Sequence, residues 1–154
     1  MTRTLVGLSV ILLLVGCSDD GPSSPGQSIP IGEILSAPIN LVVIDGHKVF
    51  FAAGYQEVAE GEALVIFPNI QPIGSPSLPK GLEWEKLWVG VDGEFAEYKE
   101  FDIVGDERAM ITTLELPYSY REGRRFIAAI QLVDAEGNKA IVRGVESELG
   151  GAEE

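Results

Sequence analysis

From Ile29 onward, apolar residues recur at every second position in short runs, and turn-forming residues separate the runs at close intervals. A period of two is the mark of strands with alternating faces, so the pattern predicts an antiparallel β protein with about eight strands. Asp45-Gly46 lies between the apolar runs 39–44 and 48–53, and Asp92-Gly93 lies between 84–91 and 95–103. Asp-Gly between strands favours a two-residue hairpin, because both turn positions need positive φ. Ala135-Glu136-Gly137-Asn138 joins 125–133 to 139–145 as a third hairpin with a longer loop. Residues 63–67 and 109–116 supply further strands, and 29–35 is the first candidate, with Pro30 and Gly32 suiting an edge position.

Within 125–133, Phe126, Ala128, Ile130 and Leu132 alternate with Ile127, Ala129, Gln131 and Val133. Both faces are fairly apolar, which predicts a central strand. Trp88 stands opposite the Leu87, Val89 and Val91 face, with Gly90 beside it. It is either a core plug or a surface platform, and the large apolar area of its ring favours the core.

The chain ends differ in composition from this middle. Arg3 is followed by an apolar run from Leu5 to Val15, and Ser18-Asp19-Asp20-Gly21-Pro22 stops it abruptly. The run is shorter than the roughly 20 residues a spanning helix needs. Leu14-Val15-Gly16-Cys17 resembles the lipobox of bacterial lipoproteins. The resemblance implies that residues 1–16 are a cleaved export signal and that Cys17 carries diacylglyceryl and N-acyl lipid, anchoring the mature chain to a membrane of the cell envelope. Ser18 is not the aspartate that resembles an inner-membrane retention signal, so the outer membrane is favoured for a Gram-negative source. Residues 17–28 read as the lipidated cysteine and a flexible tether, 29–146 as the folded domain, and 147–154 as an acidic disordered tail.

Charge narrows the partners. Of 11 Lys and Arg residues only Arg3 precedes Cys17 and none of the 24 acids does, so the mature chain carries 10 minus 24, or −14. Such a surface repels phosphate backbones and anionic headgroups, which argues against nucleic acid and against direct headgroup binding. Cys17 is the only cysteine, so a lipid there leaves no thiol for a disulfide or a nucleophile.

Candidate chemistry is sparse. His47 is the only histidine, no Gly-x-Ser-x-Gly elbow or glycine-rich phosphate loop occurs, and with 24 acids a carboxylate pair at some suitable spacing is inevitable. The chain is therefore read as not an enzyme. A zinc site at His47 would need three carboxylates beside it, since no second histidine or free cysteine is at hand, and calcium is the better-supported metal because hard cations take several loop oxygens. The candidates are Asp92 with Glu94, Asp106 with Glu107, and Asp134 with Glu136 and Asn138, provided that turns from different hairpins converge. Residues 68–83 hold Pro68, Pro72, Pro76 and Pro79 and read as a long loop that presents Ile70, Ile73 and Leu78 to a partner or folds them back as a cap on the core. Arg121, Arg124 and Arg125 form the only basic cluster, where pairing with neighbouring acids is expected.

The stretch from Leu116 through Tyr118, Tyr120 and Gly123, followed by 126–133 and the turn 134–138, looks like the E to F corner, F strand and F to G turn of immunoglobulin-like or fibronectin type III sandwiches. The resemblance implies an all-β, antiparallel, immunoglobulin-like β-sandwich in which a corner tyrosine hydrogen-bonds to upstream backbone. The cysteine pair of true immunoglobulin domains is missing, and a jelly roll or small barrel is the alternative. The functional expectation is a noncatalytic binding or structural module that contacts an envelope protein or glycan. A calcium-stabilised adhesion or assembly module and a carboxylate-dependent envelope hydrolase are the alternatives.

Overall fold

A computed structural model describes residues 28–150. The expected export signal, Cys17 and nearly all of the tether lie outside the described residues. The chain forms one short helix, α1 (Ile31–Ser36), and eleven strands: β1 (Leu41–Ile44), β2 (His47–Tyr55), β3 (Ala63–Ile73), β4 (Glu83–Val91), β5 (Glu94–Tyr98), β6 (Ile103–Asp106), β7 (Ala109–Thr112), β8 (Leu114–Ser119), β9 (Arg125–Val133), β10 (Lys139–Arg143) and β11 (Ser147–Glu148).

The strands make two open antiparallel sheets packed as a sandwich. The first runs β1-β2-β3-β7-β6, with β8 continuing the β7 row against β3, and the second runs β10-β9-β4-β5, with β11 continuing the β10 row against β9. With β2, β3, β7/β8 and β6 taken as A, B, E and D, and β10, β9, β4 and β5 as G, F, C and C′, this is the strand order of an immunoglobulin-like sandwich, extended by β1. The open order leaves no closed barrel.

The three hairpins form where the turn residues place them. Asp45 and Gly46 have φ of 49° and 71°, and Asp92 and Gly93 have φ of 50° and 86°, the left-handed pair that a two-residue hairpin requires. Phe126, Ala128, Ile130 and Leu132 enter the main core with Val49, Phe51, Leu64, Ile66, Leu87, Val89 and Val142. Ile127 and Ala129, on the opposite face of β9, are buried as well, so this strand is central.

Trp88 is 1% exposed, in a small second core on the outer face of the second sheet. Ile34 and Ala129 pack on it with part-buried Ile29, Phe95 and Ile141, and its Nε1 donates to Glu97 Oε2 at 2.9 Å. Gly90 leaves room for Phe95, whose Cζ would lie 2.8 Å from an added Cβ.

Several sequence expectations are corrected. The expected strand 29–35 is replaced by helix over Ile31–Ser36: Ile31, Ile34 and Leu35 have helical spacing, Pro30 fixes the entry and its carbonyl accepts Ile34 N–H at 3.0 Å, and Pro38 ends the turn beyond Ala37. The segment 95–103 is not one strand, because the chain leaves the second sheet after Tyr98 and enters the first at Ile103. β3 continues through Pro68 and Pro72 to Ile73. Both prolines fall where β3 has no registered partner on its β7/β8 side, so the missing N–H breaks no ladder there. The tail does not begin at Ser147: β11 pairs with Arg125 and Phe126, and Leu149 is fully buried. Finally, the corner is held by the Tyr120 backbone, whose N–H donates to Glu62 O at 2.7 Å, while the phenol that takes a backbone N–H is Tyr55, from Gly150 at 3.0 Å.

Candidate functional site

Two of the calcium candidates, the Asp92 and Asp134 turns, separate in space. Asp92 follows the end of β4, whereas Asp134 follows the end of β9, and the two strands run antiparallel with Val91 opposite Phe126 and Glu83 opposite Val133. At about 3.3 Å per residue the two turns lie roughly 25 Å apart, at opposite ends of the sheet. Their acids do not converge.

The three aspartates are also engaged in building their own turns. Asp92 accepts Arg124 Nε at 2.9 Å and Arg125 N–H at 3.0 Å, and the Arg125 backbone bond is the main reason its carboxyl sits below the usual range. Asp134 is 5% exposed and accepts Glu136 N–H at 2.9 Å, Asn138 N–H at 2.8 Å and Asn138 Nδ2 at 2.8 Å, with the Asn138 side chain the largest cause of its lowered pKa. Glu136 and Asn138 thus contribute backbone and amide donors to Asp134 rather than oxygens to a cation. Asp106 is held by Arg108, N to Oδ1 at 2.9 Å and Nη2 to Oδ2 at 3.0 Å. Among the described residues no three His, Cys, Asp or Glu side chains gather as a metal group. His47 Nδ1 lies 2.8 Å from the Asp45 carbonyl.

Two of the three arginines of the basic cluster pair with neighbouring acids. Arg124 binds Asp92 and lies 5.5 Å from the Tyr118 ring centroid, and Arg125 reaches Glu146 at 3.5 Å and Glu148 at 3.8 Å.

Of the two readings of 68–83, the cap holds for Ile70 and Leu78 and the display for neither. Ile70 is in β3 and fully buried, and Leu78 is 3% exposed with its N–H donating to Glu107 O at 2.6 Å. Both cap the core, because folding them inward removes apolar area from water while the loop still satisfies its backbone. Ile73 alone of the three is exposed, at 42%.

A different apolar feature stands at the sandwich edge. All four β6 residues are exposed, and Val104, at 68%, is the most open large hydrophobic among the described residues, beside Ile103 at 41% and its cross-strand partner Ile111 at 40%. In the sequence Ile103 ends the apolar run 95–103, and Val104 falls just beyond it. The available signal was Asp102-Ile103-Val104-Gly105-Asp106, two β-formers hemmed by acids and a glycine.

Among the described residues no helix is long and apolar enough to cross a membrane. Comparison with protein-family models, with curated proteins and with solved structures finds no match for this chain.

Proposed function

We propose that the chain is a cell-envelope lipoprotein, anchored through lipid on Cys17, whose β-sandwich serves as a noncatalytic binding module for an envelope protein or glycan. The observation that carries the anchor is Leu14-Val15-Gly16-Cys17 directly after an apolar run of export-signal length. Two or more acyl chains give stable anchoring, since one chain alone binds only marginally. Fully extended, the residues from Cys17 to Ser28 reach at most about 40 Å, so the module works close to the surface that holds it. Ser18 after the cysteine supports outer-membrane sorting in a Gram-negative cell.

The noncatalytic reading is supported by the use made of the polar groups. Asp92, Asp106 and Asp134 shape turns, and Arg124 and Arg125 bind neighbouring acids. The test is metabolic labelling with an alkyne-bearing palmitate in a bacterial host. The full-length chain should take the label and a Cys17→Ala variant should not. Labelling that survives Cys17→Ala, or never occurs, overturns the anchor.

A further inference from the structure

Along one side of the sandwich, backbone hydrogen bonds tie the segment before the first sheet to the second sheet. On that side Asn40 N–H donates to Arg143 O at 2.7 Å and Arg143 N–H to Pro38 O at 3.0 Å, which brings the segment before β1 onto β10. The sheet orders end on the other side at β6 and β5, which the four residues Lys99–Asp102 connect. β6 is registered with β7 alone, so its second edge presents backbone donors and acceptors to whatever lies beside it.

Apolar chemistry and charge coincide there. Val104 and Ile111 lie in one row on the outer face, while Ile103 faces inward opposite buried Thr112. Between the sheets, Tyr98, Phe101 and Met110 are only partly buried against the main core. The Phe101 ring lies 5.8 Å from that of Trp84, whose Nε1 is buried without a hydrogen-bond acceptor. From Glu94 to Arg108 the chain has six acids (Glu94, Glu97, Glu100, Asp102, Asp106, Glu107) against Lys99 and Arg108, a local excess of four negative charges.

We propose that this open side is a docking edge for an extended, basic segment of a partner protein, added to β6 as a further strand. The proposal rests on the reading of the sandwich as a binding module and names its partner class. Strand addition supplies the main-chain bonds, Ile103 and Val104 supply apolar contacts on alternate faces, and the acids select Lys and Arg. The same acids disfavour a second copy of this chain, whose net charge is −13. Gly105, at φ 124°, follows Val104 in the edge strand, and only glycine fits there because a Cβ would stand 2.0 Å from Ala109 O. With four residues in β6 the added pairing is short, which keeps the binding reversible.

The test uses the full-length chain, purified with its own leader processed or not, and a fluorescein-labelled nine-residue peptide alternating Lys with Val and Thr. The control peptide has Glu in place of Lys. Anisotropy should show binding of the basic peptide only, weakening with added salt. Val104→Lys, and separately the pair Glu100→Lys with Asp102→Lys, should each lower affinity at least tenfold while the melting curve shows both variants folded. Leu35→Lys, on the helix across the sandwich, should bind as the parent does. No binding of the basic peptide, equal binding of both peptides, or full affinity in both edge variants overturns the proposal. A chain that binds peptide but takes no lipid overturns only the anchor, and a lipidated chain that binds none overturns only the edge.

Discussion

Ile34→Ala is expected to detach α1 and uncover Trp88 while leaving the sandwich folded. Ile34 is fully buried and is the only buried residue of the helix. Burying such a side chain contributes about 1.5–3 kcal/mol, and a six-residue helix has no stability of its own. Removing most of that side chain therefore removes most of what docks α1. The docking energy also sets the ceiling on the damage, because once the helix leaves, the main core is untouched. The loss should stay near 2–3 kcal/mol, below the roughly 3–5 kcal/mol of a Trp→Ala deletion. For a domain of this size that corresponds to a fall in Tm of about 10 °C. Trp88 fluorescence reads the event directly if Trp84→Phe is used as the background, which also removes the unpaired buried indole N–H. The Trp88 emission should shift red and become accessible to acrylamide well below the global melt. A Trp88 that stays blue and protected until the whole domain unfolds, with a Tm loss as large as a core deletion, would refute the separable docking of α1.

Three further outcomes follow from the same structure. Truncation after Glu146, or Leu149→Ala alone, should destabilise the domain by about 2–5 kcal/mol in urea titration, since Leu149 is a core residue and not part of a frayed tail; an unchanged midpoint would return it to the tail. Because the folded-state pKa values of Asp92 and Asp134 are lowered, the unfolded chain binds more protons in acid. Their contribution is complete above the ordinary aspartate value of about 3.9 and is lost as pH falls through the lowered values, so Asp134→Ala should flatten the acid limb of a stability-against-pH curve. Millimolar calcium after chelator treatment should leave Tm unchanged, because the two acidic turns lie at opposite ends and their carboxylates already have donors; a rise of several degrees abolished by Asp92→Ala or Asp134→Ala would overturn that reasoning.

By itself the sequence determined the local events. Asp-Gly at 45–46 and 92–93 and the loop at 135–138 fix hairpins because their backbone demands are met within two to four residues. Alternation gave the faces of β4 and β9, because a strand's side chains have only two directions. The resemblance of Leu14-Val15-Gly16-Cys17 to a lipobox, on which the proposed anchor rests, is local in the same sense. Only the tertiary structure decided matters that depend on distant partners. Whether Pro68 and Pro72 interrupt β3 depends on which β3 positions β7 and β8 leave without a partner, and these strands lie some forty residues further along the chain. Whether Ile70 and Leu78 are displayed or buried depends on the space beneath them, and α1 won over a strand because Trp88, more than fifty residues away, offers Ile34 a surface. The calcium candidates looked alike as acidic turns, yet antiparallel pairing of β4 with β9 puts the turns that follow these two strands at opposite ends. The edge at Ile103 and Val104 was hidden for the same reason: a strand's exposure is set by what pairs beside it, and that neighbour is chosen by the sheet and not by the strand.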